Sequence, residues 1–297
     1  MPHPGQPKPT LALQARLALP GLSPAERKLI RLILSTEPSP PLDRVADLAD
    51  FAGVSAPTVL RTLTKLGFEN YSDFRKRAVS ELSKKQTSAL AQMRERPPLT
   101  KSNFVEEMST QYCALMQDAL QSPDREEILR AVDFLSDKSR KQVCAGGRFS
   151  QGAAEQLYLH SQLLRPGCRL LPPGPRQRME QSIDFGRAHV LTVFDFRRYQ
   201  PDTIELAIEA KRRRAKIILI TDPWMSPIAD IADVVLVVGV QCASPFDSLV
   251  PAFALTETLI SGMYSRLQKT AEARLSQFEE LDAAHLVGGI QSHIRTE

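Results

Sequence analysis

The spacing of apolar residues changes near residue 140 and divides the chain into two parts. Before that point apolar residues recur every three or four positions, which predicts helices near 43–51 and 55–65, from 71 to about 93, and from 103 to about 135. After it, short apolar runs at 142–145, 168–171, 189–194, 216–221 and 234–240 alternate with helical stretches at 150–164, 203–213 and 250–267. Strands this apolar are covered on both faces. We therefore expect an α-helical domain followed by an α/β three-layer domain with a parallel sheet of about five strands.

Residues 42–74 carry the most specific local pattern in the helical part. Two short helices meet at Gly53, where the turn needs a permissive backbone. Ser55 is a favourable cap for the second helix, and Pro57 fits its first turn. This pattern predicts a helix-turn-helix, in which the second helix fits the DNA major groove.

Several outward residues of that second helix have the chemistry to contact DNA. The residues expected to point outward are Ala56, Pro57, Thr58, Arg61, Thr62 and Lys65. We predict DNA contacts by Ser55, Pro57, Thr58, Arg61 and Lys65. Thr58 and Arg61 share a face, where a hydroxyl can reach bases or phosphate and an arginine can bind guanine through two hydrogen bonds. Lys65 is expected to contact phosphate. A helical hairpin with an ordinary solvated face remains the alternative.

Composition is consistent with a DNA-binding head, although it does not demand one. The formal net charge is +4, and Lys and Arg outnumber Asp and Glu before about residue 90. The four cysteines and five histidines are dispersed, so we expect reduced thiols, no metal site and no cofactor. The chain lacks the apolar core of a signal peptide and any run long enough to cross a bilayer, which predicts a cytoplasmic protein without membrane contact.

The segment GVSAPTVLRTLTKLGFENYSDF, preceded by LSPAERKLI, resembles the N-terminal domain of the RpiR/MurR family of bacterial transcriptional regulators. Thr58, Val59 and Arg61 fall on that family's Thr-Val-x-Arg pattern, and residues 65–71 fall on its Lys-Leu-Gly-Phe-x-x-Tyr tail. The resemblance implies a dimeric DNA binder with a C-terminal sugar isomerase (SIS) domain, a doubly wound fold that cradles phosphosugars.

The candidate ligand site lies after the first and third predicted strands. Glycines in the first loop let the backbone approach a ligand, and the helix that follows offers N–H groups to an anion. The third-strand loop departs from the family, because Asp195 to Gln200 stand where SIS domains carry a Ser/Thr-rich phosphate loop. The predicted ligand-binding residues are Gly146, Gly147, Arg148, Ser150, Arg197 and Arg198.

Two interpretations of these arginines remain open. Either Arg148, Arg197 and Arg198 rebuild an anion site through charge-assisted hydrogen bonds, or they fill the pocket and pair with Asp195 and other acids. The second interpretation predicts a different ligand or none. It is slightly favoured, because arginine takes up the space that a phosphate loop needs.

The sequence therefore predicts a DNA-binding regulator whose operator affinity responds to a small acidic metabolite, acting as a homodimer or homotetramer. The alternatives are a sugar-phosphate isomerase, with His189 and Glu257 as an acid/base pair, and a ligand-independent DNA-binding protein. The expected segments are a disordered or loosely packed N-terminus (1–21), the helix-turn-helix domain (22–95), linker and connecting helices (96–135), the SIS-like domain (136–285) and a C-terminal tail (286–297).

Overall fold

The computed structural model describes residues 10–18, 21–34, 40–86, 89–95, 103–121 and 125–294. The chain divides into two compact units near residue 97. The first unit is helical, and the second combines helices with a parallel sheet. The predicted linker at Arg96-Pro97-Pro98 lies outside the described residues.

The helical unit contains six described helices: α1 (Leu11–Ala18), α2 (Pro24–Leu34), α3 (Val45–Ala52), α4 (Ala56–Lys65), α5 (Tyr71–Gln86) and α6 (Ala89–Glu95). Leu29, Leu48, Val59, Leu63 and Phe74 are buried together at its centre. They come from α2, α3, α4 and α5, so the periodic apolar positions of four helices form one small core.

The first helix differs from the sequence expectation. Residues 1–21 were expected to be disordered or loosely packed, but 11–18 form α1, and Leu11, Ala12 and Ala15 are buried. Leu11 and Ala15 join the same core as α2. The apolar spacing is that of a helix, but the proline-rich stretch before it obscures the signal in the sequence.

The predicted turn between α3 and α4 has the backbone geometry that its sequence requires. Gly53 adopts a left-handed backbone conformation with φ of 64°, which residues other than glycine rarely adopt. The Gly53 and Val54 amides close the end of α3 by donating to Asp50 and Ala49 carbonyls. Ser55 then caps α4, since its Oγ accepts a hydrogen bond from the Thr58 amide at 3.3 Å.

The second unit begins with two helices and continues as an alternating α/β fold: α7 (Phe104–Gln121), α8 (Arg125–Ser136), β1 (Lys141–Gly146), α9 (Gln151–Leu164), β2 (Cys168–Leu170), α10 (Pro175–Ser182), β3 (His189–Phe194), α11 (Pro201–Arg212), β4 (Lys216–Thr221), a 3₁₀ turn (Pro227–Asp230), β5 (Val234–Val237) and α12 (Val250–Ile294). The sheet order is β2-β1-β3-β4-β5, and all its pairings are parallel. The predicted five-stranded parallel sheet is confirmed.

The helices of this unit agree in part with the sequence expectation. The helical pattern expected from 103 to about 135 consists of two helices, α7 and α8. The helix α10 was not predicted, because its sequence PRQRMEQS has no apolar stripe. The last helix was expected to end near 267 but continues to Ile294, so no break separates the domain from a tail at 286.

A buried arginine ties the first connection of this unit together. Arg165, at the end of α9, is 1% exposed. Its Nη1 donates to the Leu135 and Asp137 carbonyls at 2.7 and 2.9 Å, and its Nη2 donates to the Arg140 carbonyl. These carbonyls end α8 and lead into β1, so one side chain satisfies polar groups that would otherwise be buried without donors.

We predict that Arg165→Met lowers the free energy of unfolding by about 3 kcal/mol, because it leaves buried carbonyls unsatisfied while keeping most of the side-chain volume. Chemical denaturation measures this. The exposed control Arg212→Met should change it by less than about 0.5 kcal/mol. Equal effects of the two substitutions would contradict the structural role of Arg165.

Candidate DNA-binding and ligand-binding sites

The exposed face of α4 contains most of the predicted DNA-contacting residues. Ser55, Pro57, Arg61 and Lys65 are exposed, and Thr58 is half-buried. The Thr58 hydroxyl lies 2.9 Å from Ser55 Oγ and accepts from Arg61 Nη2 at 3.3 Å. Hydroxyls and a guanidinium therefore form one polar group at the start of the helix, in the part of a recognition helix that meets base edges.

Two residues of α4 behave differently from the sequence expectation. Lys65 Nζ is 2.9 Å from the Glu26 carboxylate and 3.2 Å from the Gly21 carbonyl, so part of its charge is neutralised within the helical unit. Thr62, expected to point outward, is fully buried and donates to the Thr58 carbonyl. Leu60 and Thr64 are exposed on this helix instead, which makes the outward face less polar than predicted.

The ligand site predicted after the first and third strands lies where the strand order of the sheet reverses. The chain runs from β1 to β2 on one side and then returns to β3 on the other side of β1, so successive connections proceed in opposite directions. In open parallel sheets, ligands bind beside the carboxyl ends of strands at such a point. The loops after Gly146 and Phe194 meet here.

Backbone donors of the first loop already have acceptors within the chain. The Gly147 amide is 3.1 Å from the Phe194 carbonyl, and the Arg148 amide donates to Gln200 Oε1 at 2.6 Å. Ser150 does not cap α9, because its hydroxyl accepts from Gly147 and donates to the Phe194 carbonyl at 2.6 Å. The two loops are thus hydrogen-bonded to each other.

Glycine at position 146 is required by close backbone packing. A Cβ atom there would lie 2.5 Å from the Ser150 carbonyl oxygen, which no side chain permits. The glycine therefore serves the tight strand-to-helix turn.

The three arginines have different environments. Arg197 is buried, and its guanidinium forms a two-pronged ion pair with Asp247, with Nε 2.6 Å from the carboxylate. Arg148 is exposed and lies over the Phe149 ring at 5.0 Å. Arg198 is exposed and has a left-handed backbone with φ of 63°, which favours glycine. The pairing interpretation therefore describes Arg197, although its partner is Asp247 and not Asp195.

Two buried carboxylates lie at the ends of β3 and β4. Asp222 accepts from the Arg197 amide and from the Tyr199 hydroxyl at 2.7 Å. Asp195 accepts from Ser226 Oγ at 2.5 Å. Burial, with a smaller contribution from the charge of Asp222, raises the pKa of Asp195 to about 7. Burial also raises the pKa of Tyr199 well above its ordinary value.

Sequence reasoning missed several residues that shape this region. Arg178 on α10 is 2% exposed; it donates to the Gly146 and Pro172 carbonyls and to Thr203 Oγ1. Asp247 lies in the loop after β5, at the carboxyl edge where ligand-site residues gather in parallel sheets. That topological rule identifies the loop, but nothing in the sequence pairs Asp247 with Arg197.

The acid/base pair considered for an isomerase is not assembled. His189 begins β3, at the amino edge of the sheet, and is nearly buried beside the Phe185 ring. Glu257 lies on α12 and is exposed, with Gln156 as its hydrogen-bond partner at 3.5 Å. A six-residue strand separates the amino edge from the switch point by about 17 Å. His189 therefore lies outside the candidate ligand site.

Neither a metal cluster nor a membrane helix is present in the described part of the chain. No group of three or more His, Cys, Asp or Glu side chains there is arranged to hold a metal ion. No helix within the same residues is both long and apolar enough to span a bilayer.

Comparison with known proteins concerns mainly the second unit. Residues 135–262 match the family model of the SIS domain. Among curated protein sequences, none matches the chain. The matched residues contain the whole parallel sheet described above, whereas α7, most of α8 and most of α12 lie outside them.

Two solved structures have similar folds. The sugar isomerase domain of an RpiR transcription factor from Sphaerobacter thermophilus is 22% identical, with a TM-score of 0.57 over 60% of this chain and 99% of that one. The Vibrio vulnificus NanR protein, complexed with ManNAc-6P, is 16% identical, with a TM-score of 0.55 over 93% of this chain and 99% of that one. At these identities the similarity establishes the fold.

We predict that Asp195 makes the protein less stable as the pH rises. Its pKa is raised in the folded state, so between about pH 4 and 7 the unfolded chain ionises this carboxyl while the folded chain keeps the proton. The free energy of unfolding therefore falls across that window by up to roughly 4 kcal/mol, since each pKa unit corresponds to about 1.4 kcal/mol. Urea denaturation at pH 5 and pH 8 should show that the free energy of unfolding falls less between these pH values for Asp195→Asn than for the wild type. The exposed control Asp184→Asn should behave as wild type, and parallel behaviour of all three proteins would refute the prediction.

Proposed function

We propose that the protein is a transcription regulator of the RpiR type, in which α4 reads an operator and the SIS domain responds to a metabolite. The observation that carries this proposal is the exposed polar group at the start of α4, where a capped helix presents Ser55, Thr58 and Arg61 beside one another. A structural hairpin has no need of a guanidinium at this place. A role on chromosomal DNA also fits the cytoplasmic location that the sequence predicts.

The proposed contacts divide into two kinds. Thr58 and Arg61 specify sequence by reaching base edges, while Ser55 and Pro57 at the helix start lie against the DNA backbone. Lys65 contributes less than the sequence suggests, because Glu26 competes with phosphate for its charge. Two such helices, from a homodimer or a homotetramer, would bind half-sites related by the symmetry of the protein.

The proposed effector is a small acidic metabolite at the switch point of the sheet. Arg148 and Arg198 are the exposed cations there, while Arg197 is held by Asp247 and positions its loop. Gln200 Oε1 accepts from the Arg148 amide, the kind of donor that an anionic oxygen takes in such loops. The effector would displace this side chain. The NanR protein, a structural neighbour, is complexed with ManNAc-6P, which supports sugar phosphates as the first compounds to test.

Binding without catalysis fits the site better than isomerisation does. His189 lies at the opposite edge of the sheet, and Asp195 already accepts from Ser226. An isomerase would need an acid and a base within hydrogen-bond reach of the sugar carbons. The competing functions are a sugar-phosphate isomerase, which would show turnover, and a ligand-independent DNA-binding protein, which would bind its operator equally with every metabolite.

Arg61→Ala is expected to weaken specific operator binding by about 1–3 kcal/mol, roughly 5- to 150-fold, because the guanidinium would lose its contacts to a base. Gel-shift titration of the full chain measures this against Arg212→Ala, which removes the same charge from α11 in the SIS domain. Equal affinity and equal sequence preference for wild type and Arg61→Ala would contradict the assignment of α4 as the recognition helix.

The double substitution Arg148→Ala with Arg198→Ala should abolish the response of operator binding to sugar phosphates while leaving basal operator affinity unchanged. Both side chains are exposed, so the fold should survive their loss. Arg197→Ala serves as the contrasting variant: it leaves Asp247 unpaired and should lower stability instead. A double variant that still responds to the effector would place the ligand elsewhere.

A further inference from the structure

The last helix has a repeat that continues past the SIS domain. Tyr264, Ala271 and Phe278 recur every seven residues, and Leu267, Arg274 and Leu281 recur three residues after each of them. Spacing of three and four residues in alternation places all six on one face of α12. Arg274 is the only charged side chain among these six positions.

Burial along this face varies: Tyr264 is 50% exposed, the next two apolar residues are buried, and the apolar residues after Ala271 are exposed again. Leu267 and Ala271 are 5% and 0% exposed because they pack inside the domain. Phe278 and Leu281, on the continuation of the same face, are 49% and 73% exposed. The helix itself continues to Ile294. A helical end with exposed apolar residues is marginally stable in water, so a packing partner for this face is needed.

Charge along this face indicates which partner fits. Arg274 precedes Phe278 by four residues, and Asp282 follows it by four. Arg274 donates to the Gln162 carbonyl at 2.7 Å, and this acceptor is not a carboxylate. If a second copy of the helix crosses in the opposite direction with Phe278 at the crossing point, Arg274 of each copy meets Asp282 of the other. In the same arrangement Leu275 of each copy meets Leu281 of the other.

We propose that residues 271–283 of α12 form a dimer interface, in which two copies of this segment pack antiparallel with Phe278 on the two-fold axis. Such an isologous contact is self-complementary in both apolar area and charge. Parallel packing would place Arg274 against Arg274 and Asp282 against Asp282, and one buried polar layer is enough to select among such arrangements. The interface specifies a location for the dimer assumed in the proposed function, although it does not depend on the effector.

Sedimentation of the full chain tests the interface. Phe278→Glu with Leu281→Glu should raise the dissociation constant of the dimer at least ten-fold, because it places four acidic groups in the contact. The matched control is Ser276→Glu with Ala283→Glu, which adds the same charge to exposed positions on the opposite side of α12. The control should retain the wild-type mass. A monomeric wild type, or equal dissociation constants for both double variants, would overturn the proposal.

Charge exchange tests the direction of packing. Asp282→Arg alone should weaken the dimer by placing arginines against each other, and adding Arg274→Glu should restore it, because the pairs are then reversed. If packing were parallel, Asp282→Arg would not weaken association, and that result would overturn the antiparallel arrangement. Circular dichroism checks that each variant keeps its helices.

Operator binding by the wild type separates this inference from the proposed function. A wild type that binds a specific operator, with a mass insensitive to Phe278→Glu and Leu281→Glu, would refute the interface alone. A wild type that shows no specific DNA binding, with a mass that responds as expected, would refute the proposed function and leave the interface supported.

Discussion

Charged groups buried at the carboxyl edge of the parallel sheet must find partners within the chain, and this constraint determines the candidate ligand site. A buried guanidinium without a carboxylate or a set of carbonyls would cost several kcal/mol. Arg197 therefore holds Asp247, and Arg178 takes the Gly146 carbonyl. Each pairing joins the loop after one strand to a segment far along the chain, so the loops that face the switch point are held by the same contacts.

This constraint also explains how the site differs from a Ser/Thr-rich phosphate loop. Replacing small hydroxyl residues by Asp195, Arg197 and Arg198 adds charge and volume. The structure accommodates one arginine by pairing it inside, and it leaves Arg198 outside on a left-handed backbone that glycine would adopt without strain. A ligand would therefore contact Arg198 and Arg148 at the exposed side of the site, whereas Arg197 holds the loop through its buried ion pair with Asp247.

The sequence predicts the framework well where periodicity is strong. The strand expected at 189–194 is β3, and the capped helix expected after Ser55 is α4. Helix α10 has no apolar stripe, so periodicity cannot show it. Charged residues become frequent in α12 after Ala271, and they obscure its apolar repeat and therefore its full length. Partners across the chain account for most of the rest: Asp247 is 50 residues from Arg197, and Gln200 is 52 from Arg148. No spacing rule connects residues so distant, because their proximity depends on how the helices and strands pack. Sequence alone therefore predicts the loops and the helix proposed to read DNA, but not which of their charges are already neutralised.

DNA reading by α4 is tested most directly by selecting the duplexes that the purified protein binds from a pool of random DNA. If α4 reads an operator, the bound duplexes should be enriched in an inverted repeat whose half-sites lie one helical turn, about 10 base pairs, or a multiple of it apart. Recovery of sequences with no shared motif would contradict the claim that α4 reads DNA.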